Sequence, residues 1–112
     1  MDPSPQFVTA TYEVSLKNRA QFLALMKEAE AVMRAEGLIT ERPAYRMASK
    51  AKPELILEIF EWVDETAFER AQKNPKVLAM WGQFETVWKR GGFGVNELPE
   101  ASVPWAEFTS LP

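Results

Sequence analysis

Leu55-Ile56-Leu57-Glu58-Ile59-Phe60-Glu61-Trp62 is the stretch on which the fold turns. It is rich in β-branched and aromatic residues and is bounded by Pro53 and Asp64, as a strand should be. At the two-residue period of a strand, Ile56, Glu58, Phe60 and Trp62 share one face, and Leu55, Leu57 and Ile59 share the other. A strand that is apolar on both faces needs cover on both faces.

Working back from this strand, Ser49 to Pro53 read as a turn and residues 41–48 as a partner strand. Pro43 weakens that partner and suits an edge or a bulge. Residues 6–14 alternate, with Val8, Ala10, Tyr12 and Val14 on one face and Phe7, Thr9, Thr11 and Glu13 on the other. Between the two lies a helix over 18–36. Asn18 and Gln21 have capping-box spacing, Phe22, Leu25, Met26, Ala29, Val32 and Met33 form an apolar arc, and Gly37 suits the residue just past the end. Glu28, Glu30 and Glu36 read as the solvated side of that helix.

Working forward, Asp64 or Thr66 can cap a short helix to Lys73, and Asn74-Pro75 starts another. The second carries an arc of Val77, Met80, Trp81, Phe84, Val87 and Trp88 and ends at Gly91-Gly92. Residues 93–98 read as a fourth strand, and Val103 to Phe108 as a short closing strand or extended tail. The order β-α-β-β-α-β predicts an α+β, ferredoxin-like fold, a four-stranded antiparallel sheet with both helices on one face. The helices then leave one face of 55–62 bare, and a second copy placed by two-fold symmetry is the simplest cover. The pattern therefore predicts a homodimer with Leu57 and Ile59 at the interface.

Composition narrows the chemistry. The 112 residues fit one domain spanning 1–112. Cysteine and histidine are both absent, which removes disulfides, thiolate catalysis, Ser-His-Asp triads and the common metal ligands. No metal site and no cofactor are expected. The net charge of −3 argues against a nucleic-acid partner, and Arg42, Arg46, Lys50 and Lys52 read as a solvated hairpin tip. Gly91-Gly92-Phe93-Gly94 follows a helix instead of opening one, so it is no nucleotide loop. No apolar run is long enough to span a membrane, no membrane partner is expected, and Met1 to Pro5 lack signal-peptide features, so a cytoplasmic location is expected.

The run Leu57 to Phe68, followed by Asn74-Pro75 and Trp81, resembles the antibiotic-biosynthesis-monooxygenase-like family of dimeric α+β-barrel proteins. The resemblance implies a pocket between sheet and helices in each subunit, in which cofactor-free members deprotonate a phenol or hydroquinone that then reacts with oxygen. It matches Trp62 to the tryptophan ending the third strand and Thr11 to an asparagine of the haem-degrading members. It places Ala71 or Gln72 where many members carry histidine, a departure that disfavours haem degradation.

The candidate site follows. Glu58 is the candidate general base, since burial raises a carboxylate pKa toward the value useful for taking a phenolic proton. Its alternative is a structural pair with Arg46 or Arg42, and enclosure of Glu58 by Arg46 removes the catalytic assignment. Trp62, Thr11, Phe60, Trp81 and Phe84 are candidate substrate-binding residues, each with core packing as its ordinary role. Tyr12 and Tyr45 suit either a ligand hydrogen bond or a dimer core. Two functions stay open: cofactor-independent oxidation of an aromatic or quinol-type substrate, or a non-catalytic dimeric module that binds a small aromatic ligand.

Overall fold

A computed structural model describes residues 4–83 and 94–112 of the chain. Strand β1 spans Gln6–Glu13, helix α1 Arg19–Ala35, β2 Tyr45–Ser49, β3 Leu55–Trp62, α2 Ala67–Gln72, α3 Pro75–Trp81 and β4 Phe108–Ser110. The chain is an α+β fold with one four-stranded antiparallel sheet in the order β1-β3-β2-β4.

β3 runs antiparallel between β1 and β2, pairing Gln6 with Trp62 through Glu13 with Leu55 on one side, and Tyr45 with Ile59 through Ala48 with Ile56 on the other. This is the split arrangement expected from the sequence. Paired residues share a face, so Val8, Tyr12, Arg46, Ala48, Ile56, Glu58, Phe60 and Trp62 lie on an inner face. Phe22, Met26, Ala29 and Met33 of α1 and Val77 and Met80 of α3 pack in one core with Ile56 and Trp62. Leu23, outside the expected arc of α1, is buried too, while Leu25 and Val32 are half-buried.

The caps divide. Gly37 sits at φ 72°, with Leu38 N–H donating to the Met33 carbonyl and Gly37 N–H to that of Arg34, the two-bond helix ending that a glycine permits. Asn74 accepts from the N–H groups of Lys76 and Val77, with Pro75 opening α3 as expected. Asn18 does not cap α1: a 3-10 turn over Leu16–Asn18 gives it helical dihedrals, and its side chain reaches no helix N–H. Thr66 does not cap α2 with its side chain either. Asp64 instead accepts from the Thr66 N–H and hydroxyl, closing a turn before the helix. The second strand begins at Tyr45, beyond Pro43, where a ladder donor becomes available again.

The fourth strand is where the expectation fails. Val95–Glu97, inside the 93–98 segment expected to be that strand, forms a 3-10 turn, and residue 93 lies outside the described residues. Sheet pairing comes instead from β4, which shares only Phe108 with the closing segment expected over Val103 to Phe108, and it lies beside β2 on the far edge. Residues 94–107 thus form an arm across the outer face, while Leu111, just past β4, packs on the inner core. Leu98 and Phe108 pack against Leu55, Leu57, Met47 and Ile59, so Leu57 is covered by its own chain and not left bare for a second copy. The doubly apolar pattern signalled a cover correctly, but not which one.

Glu100 fastens the arm. Its Oε2 accepts from the Ser49 hydroxyl at 3.0 Å, Lys50 N–H at 2.9 Å and Ala51 N–H at 3.4 Å. Lys50 also pairs with Glu107 at 2.9 Å. Replacing Glu100 with Ala leaves those donors without an acceptor and should cost roughly 1–2 kcal/mol. Hydrogen exchange should show the loss confined to 98–110 and to the β2–β3 turn; unchanged protection there would contradict this role.

Candidate functional site

Three strands and one helix converge on Glu58. Its place in the middle of β3 sets it on the inner face, opposite Ala10 on β1 and Arg46 on β2. α1 crosses above, and Glu58 is only 4% exposed. Arg46 Nε donates to Glu58 Oε2 at 2.9 Å. The same guanidinium donates through one terminal nitrogen to Glu30 Oε1 at 2.9 Å and to the Met26 carbonyl at 3.1 Å. Tyr12 adds a long hydroxyl contact to Glu58 Oε1 at 3.5 Å, and its ring lies 5.2 Å from that of Phe22.

Glu30 extends the cluster outward. It accepts from Arg34 at 3.1 Å and from Ala44 N–H at 3.1 Å, and Arg34 in turn donates to the carbonyls of Thr40 and Arg42. Two guanidinium groups and two carboxyl groups therefore join α1 to β2 and β3. The electrostatics of the carboxylates diverge. Burial pushes the Glu58 carboxyl up to about 7, against the pull of Arg46 and Tyr12 and with a further push from Glu30. Burial also pushes Glu30 up, but the Ala44 N–H, Arg46 and Arg34 outweigh it and hold Glu30 below its ordinary value.

Two sequence expectations are corrected here. Arg46 belongs to no solvated tip: it is 8% exposed and bridges the sheet to α1. Glu30 is not on a free solvated face either. The signal for Glu30 was available in the spacing, since it follows Met26 and Ala29 on the inward side of α1, beside the arc and not opposite it.

The aromatic candidates meet at the other end of β3. Phe60 and Trp62 stand edge to face at 4.9 Å between ring centres, and Phe68 of α2 lies 6.1 Å from Trp62. Trp62 is buried, Phe60 half-buried, and Phe68, missed from sequence, 52% exposed. Trp81 packs on the same core. Thr11 does not join them. It pairs with Leu57 on the outer face, buried, with its hydroxyl lacking a hydrogen-bond partner. Tyr45 is also on the outer face and exposed. Phe84 and Trp88 lie outside the described residues. Among the described residues no three His, Cys, Asp or Glu side chains gather as a metal site, and no helix is long and apolar enough to cross a membrane.

The site therefore has a polar end that is enclosed, and an aromatic end that opens at Phe68. No protein-family model matches the chain. No curated protein matches it either. Among solved structures, the chain is similar to one described as a conserved protein from Methanosarcina mazei Go1. That match has a TM-score of 0.58 at 19% identity and covers 78% of this chain and 84% of the other. At that identity the likeness is one of fold.

Proposed function

We propose that this chain is a non-catalytic, dimeric small-molecule-binding module, similar in fold to the antibiotic-biosynthesis-monooxygenase-like proteins, that receives a flat aromatic or quinol-type ligand. The observation that carries the reading is the enclosure of Glu58 by Arg46. A general base must reach the proton it takes, and both Glu58 oxygens already face Arg46 and Tyr12. What remains for a ligand is the aromatic corner of Phe60, Trp62 and Phe68, whose outer ring is available for stacking.

Oxygen uptake across a panel of hydroquinones and anthrones tests this, run beside intrinsic tryptophan fluorescence on the same compounds. The expected outcome is saturable quenching or a spectral shift of the tryptophan emission that Trp62→Phe removes, without oxygen consumption. The Glu58 value near 7 favours a second reading, an oxygenase working at neutral pH. In that case uptake is measurable and Glu58→Gln lowers it by about 10²–10⁴-fold, which overturns the binding-module reading.

A further inference from the structure

The β2–β3 turn is held in shape without help from the arm. Ser49, the last residue of β2, is 1% exposed, and its hydroxyl accepts from the Lys52 N–H at 2.9 Å. Leu55 N–H donates to the Lys52 carbonyl, and Arg19 of α1 donates to the Pro53 carbonyl at 2.7 Å. In a turn fixed this way the Ser49 hydroxyl and the N–H groups of Lys50 and Ala51 all point at one oxygen, Oε2 of Glu100. Successive N–H groups aimed at one spot make an anion-binding concavity.

The arm fills that concavity with its own acids. Burial pushes the Glu100 carboxyl up, but the Ser49 hydroxyl and the N–H groups of Glu100 itself, Ala51 and Lys50 outweigh it and hold it below its ordinary value. The cradle therefore favours a charged carboxylate. Glu107 brings a second carboxylate to the same residue, 2.9 Å from Lys50 Nζ. Main chain and side chain of Lys50 thus each meet one acid of the arm. The fit is incomplete, however. Among the described residues Glu100 Oε1 is buried without a hydrogen-bond partner, and Lys50 and Glu107 pair in the open, 55% and 78% exposed. A buried acceptor left unpaired offsets much of what three donors contribute, and an exposed ion pair adds little. The turn binds a carboxylate well, and the arm delivers one poorly.

We infer that the β2–β3 turn is a binding site for a small dicarboxylate, closed at rest by Glu100 and Glu107 of the protein's own arm. A free dicarboxylate sets one group in the cradle and the other on Lys50. Untied to the arm, it turns its remaining oxygens to water and buries none unpaired. Its binding displaces Glu100 and loosens Leu98, which packs on Leu55 and Leu57. Occupancy of the turn is thereby converted into opening of the arm. The turn lies at the far end of β3 from Trp62, so this inference goes beyond the proposed function and does not rest on it.

Titration of the full chain with succinate, acetate and chloride at matched ionic strength and neutral pH tests it, followed through the Lys50 and Ala51 amide resonances. Glu100→Ala empties the cradle and should bind both carboxylates saturably, succinate roughly two- to fivefold tighter than acetate. Adding Lys50→Ala should remove that preference and keep acetate binding, because the main-chain N–H at position 50 remains. The wild type should need about tenfold more succinate, since Glu100 must first be displaced. Succinate should then speed hydrogen exchange over 98–107 in the wild type beyond the effect of chloride. This last measurement tests the inference by itself should Glu100→Ala fail to fold. Amide shifts no larger than those with chloride, equal affinities for succinate and acetate, or arm exchange that succinate leaves unchanged would each overturn it.

Discussion

At pH 8, replacing Arg46 with Met should cost about 3–5 kcal/mol of unfolding free energy, measured by urea denaturation. The size follows from what is left behind. Arg46 holds the Glu58 carboxylate at 2.9 Å in a place where the pair's side chains are 6% and 5% exposed, and it holds Glu30 at 2.9 Å as well. Removing the guanidinium takes away the main group that favours the Glu58 carboxylate, so the enclosed carboxyl must either stay charged without its partner or take up a proton against pH 8, and both cost more than the pair itself contributes. Glu30 retains Arg34 and the Ala44 N–H, so the loss falls mainly on Glu58. The double variant Arg46→Met with Glu58→Gln should therefore recover much of the stability. A loss below about 1 kcal/mol would mean that the pair behaves as an exposed one.

The same carboxyl makes stability depend on pH in an unusual sense. Its folded value near 7 lies above the ordinary 4.5, so between those limits the folded state binds more protons than the unfolded state. The contribution of Glu58 is complete below 4.5 and is lost as pH rises through 7. At about 1.36 kcal/mol per pH unit, the loss amounts to roughly 3 kcal/mol between pH 4.5 and pH 8. Glu30, Glu36 and Asp64 act oppositely, because their lowered values make them lose stabilisation only as pH falls below the ordinary carboxylate range. Stability should accordingly peak near pH 5. Glu58→Gln, neutral at every pH, should flatten the slope between pH 5 and pH 8 and leave the acid limb in place. A wild-type profile that is level or rising over that interval would contradict the raised value. The Arg46→Met loss should likewise shrink at pH 5, where Glu58 carries its proton.

Much of the frame could be read from local pattern. β3 matches its expected span, and the inner face follows from the alternation of residues 6–14 and 55–62, because pleat parity follows from sequence spacing alone. Gly37 and Asn74 were legible since their chemistry is confined to one turn of backbone. The arm was not. Whether Leu98 and Phe108 or a second molecule covers Leu57 depends on contacts between distant parts of the chain, which no local period encodes. The site was half legible for the same reason. Glu58 and its candidate partner Arg46 follow from hairpin register, whereas Glu30 and Tyr12 arrive from other elements and Thr11 departs to the opposite face.

The pairing of β4 with β2 also sets a timetable for folding. The β2–β3 hairpin alone closes over a short turn, whereas β1 reaches β3 across α1 and β2, and Met47 must wait for Ser110. Contacts so far apart in sequence form slowly, since loop closure precedes any gain from pairing. Until then the outward edge of β2 is an unpaired row of donors and acceptors beside Leu55 and Leu57, the kind of template that recruits other unfinished chains. In the folded protein Glu100, by fastening the arm to the hairpin turn, keeps that edge and the apolar face beside it covered.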